Sequence, residues 1–371
     1  MVLKQIELQN FRLHKSTSLI FSDKLNLIIG GNGQGKTSIL EAIYYLCTTK
    51  NLTLSSESDV VMFGEQYFDA KGKFLDLSEN KTRIYYDSLK NKKNFFLDDK
   101  QIFSSSSVIG KFPIVSLIQA DHAITLGAPS DRRRFVDSVI SQASHAYLDI
   151  LLDYNKILRQ RASLLNQIKE TRNQSLLNQL DSWTESLVET GSEIIKHRIR
   201  FVDEFNLYLK ESYKHIIENN EEPLIIYDSL SELNEENVNE KFKEELNSFR
   251  EDELRRAGNL IGPHRDDFIF SINDLELKRF GSQGQHKTFQ IALRFAQFFF
   301  MKEKLGKTPI FLMDDIFGEL DVYRAGKISE YLSQIGQAFI TMTDLTKTEG
   351  LNTHKENILI KVSNGTAAIT S

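Results

Sequence analysis

An apolar run, Leu25 to Ile29, ends in the octet Gly30-Gly31-Asn32-Gly33-Gln34-Gly35-Lys36-Thr37, and a helix-like Ser38-Ile39-Leu40-Glu41-Ala42-Ile43 follows at once. A buried strand, a glycine-rich turn and a helix in that order commit the segment to α/β architecture, with the helix packed back on its own sheet. The glycines let consecutive backbone N–H groups turn toward one point, and the helix adds its positive end. A polyphosphate satisfies such a cradle. Gly30 through Gly35 and Ser38 would line it, Lys36 would neutralise the β and γ phosphates, and the Thr37 hydroxyl would hold Mg²⁺. A glycine-rich loop can also be an ordinary strand-to-helix turn, but the full G-x4-G-K-T spacing in this setting favours the nucleotide.

The chain has 371 residues, 40% of them hydrophobic, which exceeds one typical domain and leads us to expect two lobes. Its one cysteine, Cys47, excludes an internal disulfide and reads as a buried apolar residue of a reduced compartment. Neither a signal-peptide pattern nor an apolar run of membrane-spanning length is present, so a cytoplasmic location without membrane association is expected. A net charge of −5 argues against a diffusely basic nucleic-acid coat; any DNA contact must use a local basic face.

Three segments follow from the pattern. Residues 1–125 hold the P-loop and β-rich stretches at Leu3 to Leu8, Ser18 to Phe21, Phe68 to Phe74, Thr82 to Tyr86 and Phe95 to Leu97. Residues 126–255 are mostly helical, with apolar positions such as Leu148, Leu151, Leu158, Leu165, Leu180, Leu187 and Ile194 at helical spacing. A polar gap from Lys169 to Gln174 divides them, which predicts two long helices folded back into a short arm. Asn219 to Glu222 and Leu233 to Glu245 read as loop and solvated helix surface. Residues 256–371 return to α/β, with strands at Asp267 to Ile272, Leu275 to Arg279 and Ile310 to Met313 and a helix at Gln285 to Lys304. Ser130 is the expected cap of a helix beginning near Asp131.

Pro309-Ile310-Phe311-Leu312-Met313-Asp314-Asp315 has the form of a Walker B strand: Asp314 would complete the Mg²⁺ shell, and Asp315 would orient or deprotonate the attacking water. Gly281-Ser282-Gln283-Gly284-Gln285, directly before the Gln285 helix, resembles the ABC signature. In that family these residues grip the γ-phosphate held by another subunit's P-loop; the bland alternative is a helix cap at Ser282 and a turn at Gly284. Asn10-Phe11-Arg12 resembles the N-F-R segment of the SMC, Rad50 and RecF group, which implies that Arg12 approaches nucleotide. Glu319-Leu320-Asp321 stands at a D-loop position, Thr341-Met342-Thr343-Asp344 at the switch, with Thr343 where many ABC proteins have histidine, and Gln119 and Asp121 in the Q-loop region.

Within this group the chain resembles the RecF family nearly end to end. The resemblance includes Gly127 to Asp137, Tyr154 to Arg161 and Gly262-Pro263-His264-Arg265-Asp266-Asp267, and it departs at Gln119-Ala120-Asp121 and Arg161-Ala162. It implies an ABC-type P-loop ATPase head with mixed sheet and β-rich subdomain, plus an inserted helical lobe carrying a short antiparallel coiled-coil-like arm. It further implies a weak, DNA-stimulated ATPase in DNA replication, repair and the SOS response. ATP and Mg²⁺ would close a homodimer on double-stranded or gapped DNA, acting with RecO and RecR to load RecA. The other reading is a nucleotide-stabilised scaffold with little turnover, left open because Asp315 stands where ABC ATPases commonly have glutamate. Arg132, Arg133 and Arg134 oppose the dipole at the start of their helix, so they call for anions: DNA phosphate, or an ion pair with Asp137 or another carboxylate.

Overall fold

The computed structural model describes residues 1–53, 56–171, 173–218, 220–229, 234–343 and 356–370. Along the chain come β1 (Val2–Phe11), β2 (His14–Ile20), β3 (Leu25–Ile29), α1 (Lys36–Thr48), β4 (Tyr67–Leu75), β5 (Glu79–Asp87), β6 (Lys92–Leu97), β7 (Lys100–Ile102) and β8 (Ile114–Leu117). A helical stretch follows: α2 (His122–Leu126), α3 (Pro129–Ala143), α4 (His145–Thr171) and α5 (Gln174–Ile216). Then come β9 (Pro223–Asp228), α6 (Val238–Ser248), α7 (Arg250–Arg256), β10 (Asp267–Ile272), β11 (Leu275–Glu276), α8 (Leu277–Phe280) and α9 (Gln283–Leu305). The chain closes through β12 (Ile310–Asp314), α10 (Val322–Gln334), β13 (Ala338–Met342), β14 (Ile358–Ser363) and β15 (Thr366–Ile369).

Two compact units emerge, one of residues 1–121, 211–219 and 290–371, the other of residues 122–210 and 220–289. In the first, a six-stranded sheet ordered β15-β14-β3-β13-β12-β8 is parallel apart from the β14–β15 hairpin, and an antiparallel sheet is ordered β2-β1-β4-β5-β6-β7. Every residue of β8 and β13 is buried, as parallel strands covered on both faces require, whereas from Ala70 onward β4 alternates buried and exposed. Apolar residues of α1, including Ile39, Ile43 and Leu46, fill the core that both sheets share. Cys47 is buried there as expected, and burial pushes its thiol pKa up. On α9, the Phe295 ring stacks on Phe311 at 5.2 Å and Phe298 meets it edge-on at 6.0 Å, which anchors β12.

The second unit contains the two expected long helices. Leu164, Leu165, Ile168 and Leu180 form a core across their fold-back, and Arg161 Nε donates to Thr184 Oγ1 at 3.1 Å. Asn219 and Leu233 lie outside the described residues; residues 220–222 are loop, as expected, and Pro223–Asp228 just beyond them is a strand that the sequence pattern does not announce, paired antiparallel with β10. Two expectations need correction. Strand β11 stops at Glu276, and Leu277–Phe280 turns into helix, because the Leu275–Ile272 pairing ends a tight hairpin and Leu277 must be buried. Helix α3 begins at Pro129, and the Asp131 carboxylate, not Ser130, accepts the Ala128 N–H at 3.0 Å.

Its arginines are paired internally. Arg132 makes a two-pronged contact with Asp267 at 2.7 Å on each arm, Arg133 donates to the Asp266 carbonyl at 2.6 Å, and Arg134 reaches Asp131 at 3.3 Å. Asp137 instead receives the fully buried Arg198, which also donates to the Pro263 carbonyl at 2.6 Å. Tyr147 donates to Asp137, Tyr227 to Asp266, and the Tyr154 hydroxyl lies 2.8 Å from His264 Nδ1. Residues of the segments that set the RecF resemblance apart from general ABC heads thus meet in one polar knot, in which Arg132 and Arg198 each face a carboxylate.

Candidate functional site

Strand β13 lies between β3 and β12, and its Thr341 is the register partner of Ile28 on one side and Asp314 on the other. All three strands run parallel, so the loop after β3 and the acids after β12 emerge at the same edge of the sheet. Across β13 the Thr37 hydroxyl meets the Asp314 carboxylate, 2.9 and 3.0 Å from its two oxygens. Two hard oxygen donors, an alcohol and a carboxylate, are a set that suits Mg²⁺. Thr341 Oγ1, fully buried, donates to Asp314 Oδ1 at 2.6 Å and accepts the Asp315 N–H at 2.9 Å. Asp315 sits at φ 51°, a left-handed conformation that a non-glycine residue holds only when its surroundings impose it.

The glycine loop is tied from within. Lys36 Nζ donates to the carbonyls of Gly30 and Gly31 at 2.7 and 2.9 Å. Gly30 comes so close to β14 that a Cβ there would lie 2.3 Å from the Val362 carbonyl oxygen, and Gly35 has φ 104°. Helix α1 begins at Lys36, so the N–H groups of Lys36, Thr37 and Ser38 are its first-turn donors. A phosphate chain fits residues arranged in this way.

The other sequence-predicted residues are distributed as follows. Arg12 gives Nε and Nη2 to the two oxygens of Glu41 on α1 at 2.8 and 2.7 Å, and Nη1 to the Asp59 carbonyl at 2.6 Å. The Glu41 hydrogen bond holds the guanidinium pKa above its ordinary value. Glu41, the sixth residue of the P-loop helix, is absent from the motifs that the sequence displays, although an acid at that place in the helix is a usable signal for a basic partner. Asp121 is bound two-pronged by Arg294 at 2.6 and 3.0 Å. Asp321 caps α10, accepting the Arg324 N–H at 2.9 Å. Thr343 is exposed just past β13, and Asp344 lies outside the described residues. In the second unit, Ser282 Oγ accepts the Gln285 N–H at 3.2 Å while Gln285 Oε1 accepts the Ser282 N–H at 2.9 Å. This reciprocal capping box opens α9, so the cap reading of Ser282 holds within this chain.

The RecF/RecN/SMC N terminal domain family matches residues 2–367. A DNA replication and repair protein RecF from Chloroherpeton thalassium is 42% identical over 353 residues, covering 93% of this chain and 95% of its own length. The chain belongs to the RecF family. The RecF of Salinibacter ruber is 33% identical over 381 residues, covering 100% of this chain and 92% of that protein. Among solved structures, the recombination mediator protein RecF-ATP in the RecFOR pathway superimposes with a TM-score of 0.90 at 32% identity, covering 100% of this chain and 97% of that one. An Smc head domain from Pyrococcus furiosus, 15% identical with a TM-score of 0.58, covers 99% of this chain and 95% of its own, and shares the fold. RecF membership makes this an SMC/ABC-type ATPase head of DNA repair, as its motifs implied. Among the described residues, no helix is long and apolar enough to cross a membrane.

Proposed function

We propose that the chain binds ATP with Mg²⁺ on the 30–38 loop, and that two copies close head to head on two nucleotides. The closed dimer clamps double-stranded DNA near gaps, and slow, DNA-stimulated hydrolysis releases it. The observation that carries this reading is the meeting of Thr37 and Asp314 at the ends of β3 and β12 beside Lys36. Bound Mg²⁺ would supply charge neutralisation at the β and γ phosphates. The protein's own part begins with Lys36, which exchanges two loop carbonyls for phosphate oxygens. Thr37 and Asp314 present oxygens to the cation, Asp315 orients the attacking water, and Arg12 and Thr343 contribute from the rim. Ser282, Gln283, Gly284 and Gln285 close the site on the nucleotide of the second copy. RecF membership supports a cytoplasmic role with RecO and RecR in loading RecA.

Light scattering with ATP, ADP and gapped duplex tests this directly. Wild type should dimerise with ATP only, Lys36→Ala should neither bind nor dimerise, Asp315→Asn should stay dimeric, and Ser282→Arg should bind nucleotide as a monomer. A wild type and an Asp315→Asn variant that both remain monomeric with ATP would refute the two-copy site. Phosphate release over many turnovers separates the clamp from the scaffold reading.

A further inference from the structure

His14, the first residue of β2, is completely buried. Its Nε2 lies 2.9 Å from the Gly35 carbonyl oxygen and its Nδ1 2.9 Å from Thr17 Oγ1. A carbonyl only accepts, so Nε2 carries the hydrogen; Thr17 Oγ1 lies 2.9 Å from Nδ1 and 3.4 Å from the Gly365 carbonyl oxygen, and in the neutral ring its single hydrogen goes to the nearer Nδ1. Burial lowers the pKa of this imidazole, consistent with the neutral tautomer.

The adjoining peptide is pinned too. Residues 364 and 365 form the β14–β15 turn, both at positive φ, 48° and 72°. The Gly365 N–H donates to the Gln34 carbonyl at 3.1 Å, and the Asn364 N–H to Gln34 Oε1 at 2.7 Å. The fit is close: a Cβ on Gly35 would lie 3.0 Å from His14 Nε2, and one on Gly365 would lie 2.0 Å from the Leu13 carbonyl oxygen.

In a trans peptide the carbonyl and the following N–H point to opposite sides. With the Gln34 and Gly35 carbonyls engaged by Gly365 and His14, the N–H groups of Gly35 and Lys36 face the other way. Two consecutive N–H groups turned in this manner make an anion-binding concavity. We propose that His14 is a positioning residue for nucleotide: it sets the 35–36 peptide so that the Lys36 N–H is presented to a phosphate oxygen. This rests on the nucleotide-binding reading of the loop.

The experiment titrates the full chain with a fluorescent ATP analogue and Mg²⁺, alongside thermal unfolding. His14→Phe keeps a ring of similar size and loses the donor; His14→Gln keeps an N–H at similar reach; Thr17→Val removes the hydroxyl that selects the tautomer. His14→Phe should weaken binding about five- to tenfold, the worth of one hydrogen bond. His14→Gln should recover most of that affinity, and Thr17→Val should show a smaller loss in the same direction. Wild-type affinity in His14→Phe despite a lowered Tm would overturn the proposal, as would a Gln variant as weak as Phe. Should His14→Phe fail to fold, the Gln and Thr17→Val titrations decide. Absence of binding in wild type would instead refute the nucleotide reading itself.

Discussion

Replacing Thr341 with valine preserves shape and removes one oxygen, so it isolates what that hydroxyl does between the two acids. The side chain is fully buried, so no water can take its place, and the Asp314 carboxylate loses a donor at 2.6 Å. A hydrogen bond to a charged group contributes about 1.5–3 kcal/mol. Asp314 keeps Thr37 as a partner, and the Asp315 N–H keeps the Thr341 carbonyl at 3.2 Å, so the cost falls at the low end for stability, about 2 kcal/mol. For turnover the full range applies, because Asp315 is left at φ 51° with its stronger restraint gone. The expectation is a drop in kcat of roughly 10- to 100-fold, at about 1.4 kcal/mol per decade. Mg²⁺-free nucleotide affinity should be unchanged, and Thr341→Ser should restore the rate. Single-turnover hydrolysis with and without Mg²⁺ provides the measurement. A valine variant that is less stable yet hydrolyses at the wild-type rate would refute the positioning argument.

Acid behaviour of the polar knot gives a second test. Burial, partly offset by Arg198, raises the Asp266 pKa to about 6, so the folded state holds this proton where the unfolded chain has lost it, and stability falls as pH rises from about 4 to 6. Burial lowers His264 to about 4, so its contribution is complete above the ordinary histidine pKa and is lost as pH falls from about 6.5 to 4. Each shift corresponds to about 3 kcal/mol and the two oppose, so wild-type Tm should change little from these groups across that window, while His264→Gln should become more stable on acidification; a falling Tm in the variant would contradict the assignment. Arg161→Ala should cost about 3–5 kcal/mol in urea unfolding, because it strands Glu253, whose side chain is 3% exposed and paired at 2.8 Å.

The ATPase core was legible because its signals are local. The glycine octet, the β12 run and the S-x-x-Q segment each announce an element and its end within a dozen residues, and the β-rich and helical stretches carried their own periodicities. What escaped was set by partners distant in sequence. Strand β9 has only six residues and exists through its ladder with β10. The arginines of α3 call for anions, and the sequence leaves DNA phosphate, Asp137 and any other carboxylate equally open; Arg132 takes Asp267, because the tertiary fold offers a two-pronged carboxylate there. Thr341 carries no signal in the sequence, since nothing short of the β12–β13 register reveals that it faces the acids.

The strand that carries the glycine loop has neighbours only from the far side of the sequence: β13 on one edge and β14 on the other, with Gln34 gripped by a residue 330 positions away. During synthesis the loop therefore leaves the ribosome before the strands that flank β3 in its sheet exist. Its frame is complete only once β13 and β14 have been made. A translation product cut short before β14 would carry an intact motif and still lack the frame that gives it form.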